Sequence, residues 1–255
     1  MIKKFLPILI LASLISGCAK QQKEPKNMSL EELREKITTA LNSKKSHYAI
    51  EPLEQVILKY PEHQDLAEYK IILADLYLKV GRLEEAYKLF KNYTKYYPSD
   101  ARAEESHYKS VLSKFYQTLK VSKSCDDSDT QKTIKRCKDY LTNSYYAQYK
   151  NDIRDIQYTC ERRLIDKEIY VFNTYIKKGK FQSAQNRLEY LKENYLPRHN
   201  FLEAQLLYLE GRLAKEQKNI SLTKEKVEQL ANNFPDSQYT KQAQGLLSAK
   251  RFFFV

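Results

Sequence analysis

Four histidines and four cysteines are the side chains of this 255-residue chain with the widest chemical range. His47, His63, His107 and His199 lie far apart, in different helical patterns or loops, and none stands at metal-ligand spacing from another ligand type. The chain has no Gly-rich phosphate loop, no Gly-x-Ser-x-Gly elbow and no His-Glu-x-x-His. His107 follows Glu104 by one helical turn, and an acid and a histidine so placed are expected to be surface neighbours rather than a proton-transfer pair. Cys137 and Cys160 fall where a helix would pack a small apolar side chain, and Cys125 falls in a polar stretch, so buried or idle thiols are expected. Catalysis, a resident metal, a small-molecule substrate and a non-covalent cofactor are therefore not expected. What remains is covalent chemistry at Cys18.

Cys18 closes a distinctive segment. Lys3 and Lys4 precede an apolar run from Phe5 to Ile15, and small Ser16-Gly17 follow. That order is a signal peptide. Its eleven apolar residues are about half of the ~20 a spanning helix needs. Leu14-Ile15-Ser16-Gly17-Cys18 resembles a bacterial lipobox, which implies cleavage before Cys18 and lipid on its sulfur. Several acyl chains, at ~0.8 kcal/mol per buried CH2, hold a protein to a bilayer without a spanning helix. Ala19 replaces the aspartate that resembles an inner-membrane retention signal, so the expected location is the outer membrane, lipid-anchored, at its periplasmic face.

Loss of residues 1–17 removes two lysines and leaves 42 basic against 32 acidic residues, a net +10. Export removes nucleic acid as a partner, and the basic residues are spread along helices; acidic protein domains or anionic lipid headgroups suit such a surface. Five glycines, seven prolines, no tryptophan and twenty-one tyrosines suit helical hairpins with few tight turns.

The elements that would position these residues repeat. From Ala67 to Pro98, Ala74, Tyr77, Gly81, Ala86, Phe90 and Pro98 stand at positions 8, 11, 15, 20, 24 and 32, as in tetratricopeptide repeats. Small Ala74 and Ala86 let two antiparallel helices approach, Tyr77 and Phe90 fill the space between them, Gly81 turns the chain and Pro98 stops the second helix. Weaker units start at Leu30 (Ala40, Ala49, Leu53, Pro61), at Ile165 (Tyr175, Gly179, Ala184, Leu188) and at Ala204 (Gly211, Pro235). A divergent fifth lies between Ala101 and Tyr149, and a lone helix from Tyr239 to about Lys250 would cap the stack. The expected fold is all-α, a tetratricopeptide-repeat superhelix of about five helical hairpins with a C-terminal capping helix. Its expected divisions are the signal peptide 1–17, a lipidated linker 18–28, N-terminal peptide-receiving repeats 29–121, a loop and divergent helix 122–149, and C-terminal docking repeats 150–255. First helices line the concave side of such a stack. Glu31, Arg34, Thr38, Leu41 and Asn42 in the first unit, and Glu68, Ile71, Asp75, Leu78 and Lys79 in the second, are the candidates for gripping a peptide.

A lipobox followed by about five such repeats resembles the BamD family, lipoprotein subunits of the outer-membrane β-barrel assembly machine. Tyr87 to Pro98 is similar to the end of the family's second repeat, and Asp126-Asp-Ser-Asp-Thr-Gln131 occupies the place of its Asp-Gln-Thr-like loop. The run from Glu161 to Tyr190 resembles the fourth repeat throughout. The resemblance implies that the N-terminal repeats receive unfolded outer-membrane proteins and the C-terminal repeats dock the POTRA-containing barrel subunit. It implies for Arg187, supported by Asn186, a salt bridge to an acidic POTRA residue. Ser183, Ala184, Tyr190 and Leu191, one turn away, offer Arg187 no acidic partner in its own helix. A repeat scaffold for pilus assembly or peptidoglycan enzymes is the alternative. Tyr145-Tyr146 departs from the family's Tyr-Pro, and the apolar Phe252-Phe253-Phe254-Val255 reads as a buried cap or as an exposed contact for a partner, the cap being the preferred reading.

Overall fold

A computed structural model describes residues 28–120 and 127–247. Cys18, Cys125 and the Phe252–Val255 end lie outside the described residues.

The described residues form eleven α-helices, ten of them in antiparallel pairs. They are α1 (Leu30–Leu41) with α2 (Ile50–Lys59), α3 (Leu66–Val80) with α4 (Leu83–Tyr96), α5 (Ala103–Lys120) with α6 (Ser128–Leu141), α7 (Lys150–Lys177) with α8 (Phe181–Asn194), α9 (Leu202–Glu216) with α10 (Ile220–Asn233), and a last helix α11 (Gln238–Leu247). Short 3-10 turns precede α2 and α9. The described part is thus the expected stack of five hairpins with a terminal cap, and it contains no strand.

Local chemistry sets the ends. Ser29 and Glu32 form a reciprocal capping box on α1. Gly81 (φ +79°) and Gly179 (φ +67°) turn the chain after α3 and near the end of α7 in the left-handed conformation that glycine adopts at low cost. Pro61, Pro98 and Pro235 stand just beyond α2, α4 and α10. Pro197, in contrast, sits inside the 3-10 turn Leu196–Arg198.

Four apolar clusters run along the stack. Leu33, Leu53, Ala74, Ala86 and Phe90 belong to the first, Val111, Tyr140 and Ile153 to the second, Ile165, Phe172, Leu188 and Leu202 to the third, and Leu230 and Ala243 to the fourth. The expectation for Cys137 and Cys160 holds: both are buried and unpaired. Burial raises both thiols, Cys160 to about 12, which keeps them protonated and unreactive.

Two findings depart from the sequence reading. The fourth unit starts at Lys150, well before Ile165, because α7 is 28 residues long. Its first half, with Ile153 and Ile156, packs on α5 and α6, and its second half, with Ile165 and Phe172, packs on α8 and α9. The seam between the second and third hairpins is not apolar. Ser106, Ser110, Ser113 and Lys114 of α5 are buried there, and Lys114 Nζ reaches Glu84 at 2.7 Å on α4 and Asp129 at 3.1 Å on α6. Burial opposes the charge of Lys114, but the two carboxylates outweigh it and hold its pKa above the ordinary value.

Candidate docking surfaces

The expected N-terminal groove residues form cross-links with the period of the repeat. Arg34 on α1 donates to Tyr69 Oη (3.1 Å) and to Asp65 (3.0 Å), 35 and 31 residues on. Glu68 on α3 accepts from Arg102, and Asp75 accepts from Lys109 of α5 at 2.6 Å, each 34 residues on. Lys79 reaches back to Ser46 Oγ at 3.0 Å. Successive first helices are therefore laced side by side. The bond to Tyr69, then Asp65, raises the Arg34 pKa, so its charge is fixed at all physiological pH.

These polar groups brace the face they were expected to offer. Ile71 is a correction: it is 9% exposed and belongs to the first apolar cluster, so it does not line a groove. Leu41 and Leu78 are half-buried against the same cluster. Glu31, Thr38, Asn42, Glu68 and Lys79 are exposed, while Arg34 and Asp75 are half-buried in their ion pairs.

On the fourth hairpin Asn186 is exposed and accepts from Gln182 Nε2 at 3.0 Å. Arg187 Nη1 donates to Glu168 Oε2 at 3.2 Å, and its guanidinium lies 5.9 Å from the Tyr190 ring. A partner within the chain thus exists, supplied by α7 rather than by a turn of α8. Arg187 keeps 37% side-chain exposure, and its Nε is buried without a hydrogen-bond acceptor.

Three polar features escaped the sequence reading. Glu161 of α7 is 4% exposed; its carboxylate meets Gln157 Nε2 (3.0 Å) and His199 Nε2 (2.6 Å), tying the turn before α9 to α7. Glu161 also floors a recess of about 420 Å³ between α6, α7 and α8, rimmed by Lys138, Tyr190 and Arg198. The Glu104–His107 pair was expected at the surface. Instead His107 is 6% exposed, stacked edge-on against Tyr140 and Tyr146, with Nε2 3.3 Å from the Arg136 carbonyl. Burial, then the nearby Arg136 charge, lowers its pKa to about 3. Glu104 accepts from Tyr140 Oη and from the Ala147 and Gln148 amides (both 2.7 Å), pinning the chain that leads into α7. No periodicity marks such residues, because their partners are brought in from helices and turns 29 to 44 residues away.

A recess of about 640 Å³ opens between the two helices of the first hairpin, among Met28, Glu32, Glu35, Tyr48 and Pro52. Among the described residues no group of three or more histidine, cysteine, aspartate or glutamate side chains could hold a metal, and no helix is long and apolar enough to cross a membrane.

Among solved structures the chain is similar to PilW, a widely conserved type IV pilus biogenesis factor, at 15% identity, over 83% of this chain and 98% of that one, with a TM-score of 0.30. No curated protein matches. The family model YfiO, described as "Outer membrane lipoprotein", matches residues 26–210, from before α1 into α9. With nearly three quarters of its length so matched, the chain belongs to the YfiO (BamD-type) family of outer membrane lipoproteins.

Proposed function

We propose that this protein is a non-catalytic subunit of the outer-membrane β-barrel assembly machinery, held by lipid on Cys18 at the periplasmic face. Its C-terminal hairpins dock the POTRA domains of the barrel subunit, and its N-terminal hairpins receive unfolded outer-membrane proteins. The observation that carries this reading is the family match over residues 26–210, which includes the whole run from Glu161 to Tyr190. The geometry supports it in two ways. The first helices are braced to one another, so the stack can present a fixed surface to a partner. Arg187 sits on the fourth hairpin with part of its guanidinium exposed and a single weakly placed acid beside it, a state open to a second carboxylate. No cofactor or small molecule enters the mechanism; its covalent group is the lipid of Cys18.

The test is copurification of the membrane-anchored protein from gently solubilised envelopes, followed by mass spectrometry, for wild type and Arg187→Glu. A POTRA-containing barrel protein should accompany the wild type and be lost from the variant. Recovery of pilus or peptidoglycan proteins in its place would transfer the role to a scaffold of those assemblies.

A further inference from the structure

The second helices of all five hairpins share one burial pattern, which puts them in a common register. Ala49, Leu53 and Val56 precede α2 or lie in it, and Ala86, Phe90 and Tyr93 lie in α4. Thr133, Cys137 and Tyr140 follow in α6, Ala184, Leu188 and Leu191 in α8, and Thr223, Val227 and Leu230 in α10. In every set the buried residues are spaced four and then three apart, so the positions two and five after the first one face away from the core. Those outward positions read Glu51 and Glu54, Lys88 and Lys91, Lys135 and Lys138, Asn186 and Glu189, and Glu225 and Glu228. The sign of the outer row therefore changes along the stack: acidic at both ends, basic on the second and third hairpins only.

The four lysines are exposed. Only Lys88 has a carboxylate in range, Glu84 at 3.9 Å, and the other three have none among the described residues. Three less exposed lysines, Lys109, Lys114 and Lys226, each meet two carboxylates, so the row differs from them in being both exposed and nearly free of acidic neighbours. Lys95, one turn beyond Lys91, extends the basic row, and Tyr96 beside it is 66% exposed.

We infer that this outer row of the second and third hairpins is a contact surface for an anionic phospholipid bilayer. Lysine is a hydrated point charge on a flexible stem, suited to a diffuse negative surface more than to a keyed carboxylate. Lys88, Lys91 and Lys135 line none of the described recesses, and Lys138 stands at the rim of the one between α6, α7 and α8, so three of the four present their charge to open solvent as a broad plane requires. Basic residues brought against anionic headgroups add attraction residue by residue. The proposed anchor supplies the encounter. Cys18 precedes Met28 by ten residues, a span of at most about 35 Å when extended, and helix layers lie about 10 Å apart, so the second hairpin is within reach of the surface to which the tether is fixed. The surface would lay the stack against the membrane by its outer side and leave the opposite, first-helix side free.

The experiment uses residues 18–255 with Cys18→Ser, without lipid, so that it does not depend on the anchor or on any protein partner. Binding is measured by co-sedimentation with vesicles of phosphatidylcholine alone and with about one third phosphatidylglycerol, in low and in physiological salt. The chain should bind only the anionic vesicles, more weakly as salt rises. Replacing Lys88, Lys91, Lys135 and Lys138 together by Gln should lower the partition coefficient by about tenfold or more. A control with Lys44, Lys178, Lys224 and Lys241 replaced by Gln removes the same charge from other exposed places and should change it less than about threefold. Equal losses in the two variants would reduce the effect to net charge and overturn the assignment. So would absence of binding to anionic vesicles, which would leave the row to an acidic protein. Circular dichroism melts of both variants establish that they are folded.

Discussion

His107 and Arg187 mark what single residues disclose. His107 has an ordinary pKa of 6.5 in the unfolded chain and about 3 when folded, so the native state holds it neutral. The unfolded chain then takes up a proton first as pH falls, and stability drops from 6.5 downward. Between pH 7 and 5 this histidine should cost about 2 kcal/mol of stability. Urea unfolding of wild type and His107→Phe at the two pH values should show that increment in the wild type and little of it in the variant. Arg187–Glu168 behaves differently. Both side chains are partly exposed, so Glu168→Gln should lower stability by less than about 1 kcal/mol. A loss above about 2 kcal/mol in the same assay would make the pair a structural strut, and Arg187 a poor docking residue. Neither environment was legible in the sequence. Helical spacing locates partners on one helix, whereas Glu168 and the rings around His107 come from neighbouring ones.

Elements were more legible, because steric demands at a turn or a close helix approach admit few residue types. Ala74, Tyr77, Ala86 and Phe90 are all in the core where their repeat positions put them, and Gly81 has the left-handed backbone its position requires. A Cβ at Gly81 would meet nothing closer than the Lys120 amine at 3.9 Å, so the strain of substitution is in the backbone. Gly81→Ala should therefore cost about 1 kcal/mol, read from thermal unfolding, and Gly81→Val more. The length of α7 was obscured by the repeat frame. The absence of glycine and proline from Lys150 to Lys178 permits one continuous helix, but counting back from Gly179 stops the unit at Ile165. Ile71 was misplaced for a related reason: the concave face of an ideal repeat is a narrow stripe, and a small difference in helix rotation turns an edge position into the core.

At the scale of the whole molecule, α7 joins two cores while a buried lysine of α5 bridges α4 and α6 across a seam lined on the α5 side by buried serines. Lys114→Ala would remove the buried cation that Glu84 and Asp129 share across α5 and leave each with one exposed lysine of its own helix, Lys88 at 3.9 Å and Lys132 at 3.7 Å. It should destabilise the fold by about 3 kcal/mol, and hydrogen exchange should rise first in α4, α5 and α6. The sequence pattern, which places small or apolar residues at repeat contacts, has no rule for such a polar seam. The laced first helices and the long α7 make the stack a continuous support on which one residue of the fourth hairpin can meet a partner in a fixed orientation. That claim is tested most directly by titrating the soluble body, residues 18–255 with Cys18→Ser, with the isolated POTRA array of the same organism's barrel subunit by isothermal calorimetry. We expect a one-to-one complex, weakened at least about tenfold by Arg187→Glu and nearly unchanged by the exchange of an exposed charge on the first hairpin, Lys44→Glu. No complex with the wild type, or equal affinity for Arg187→Glu, would contradict the account.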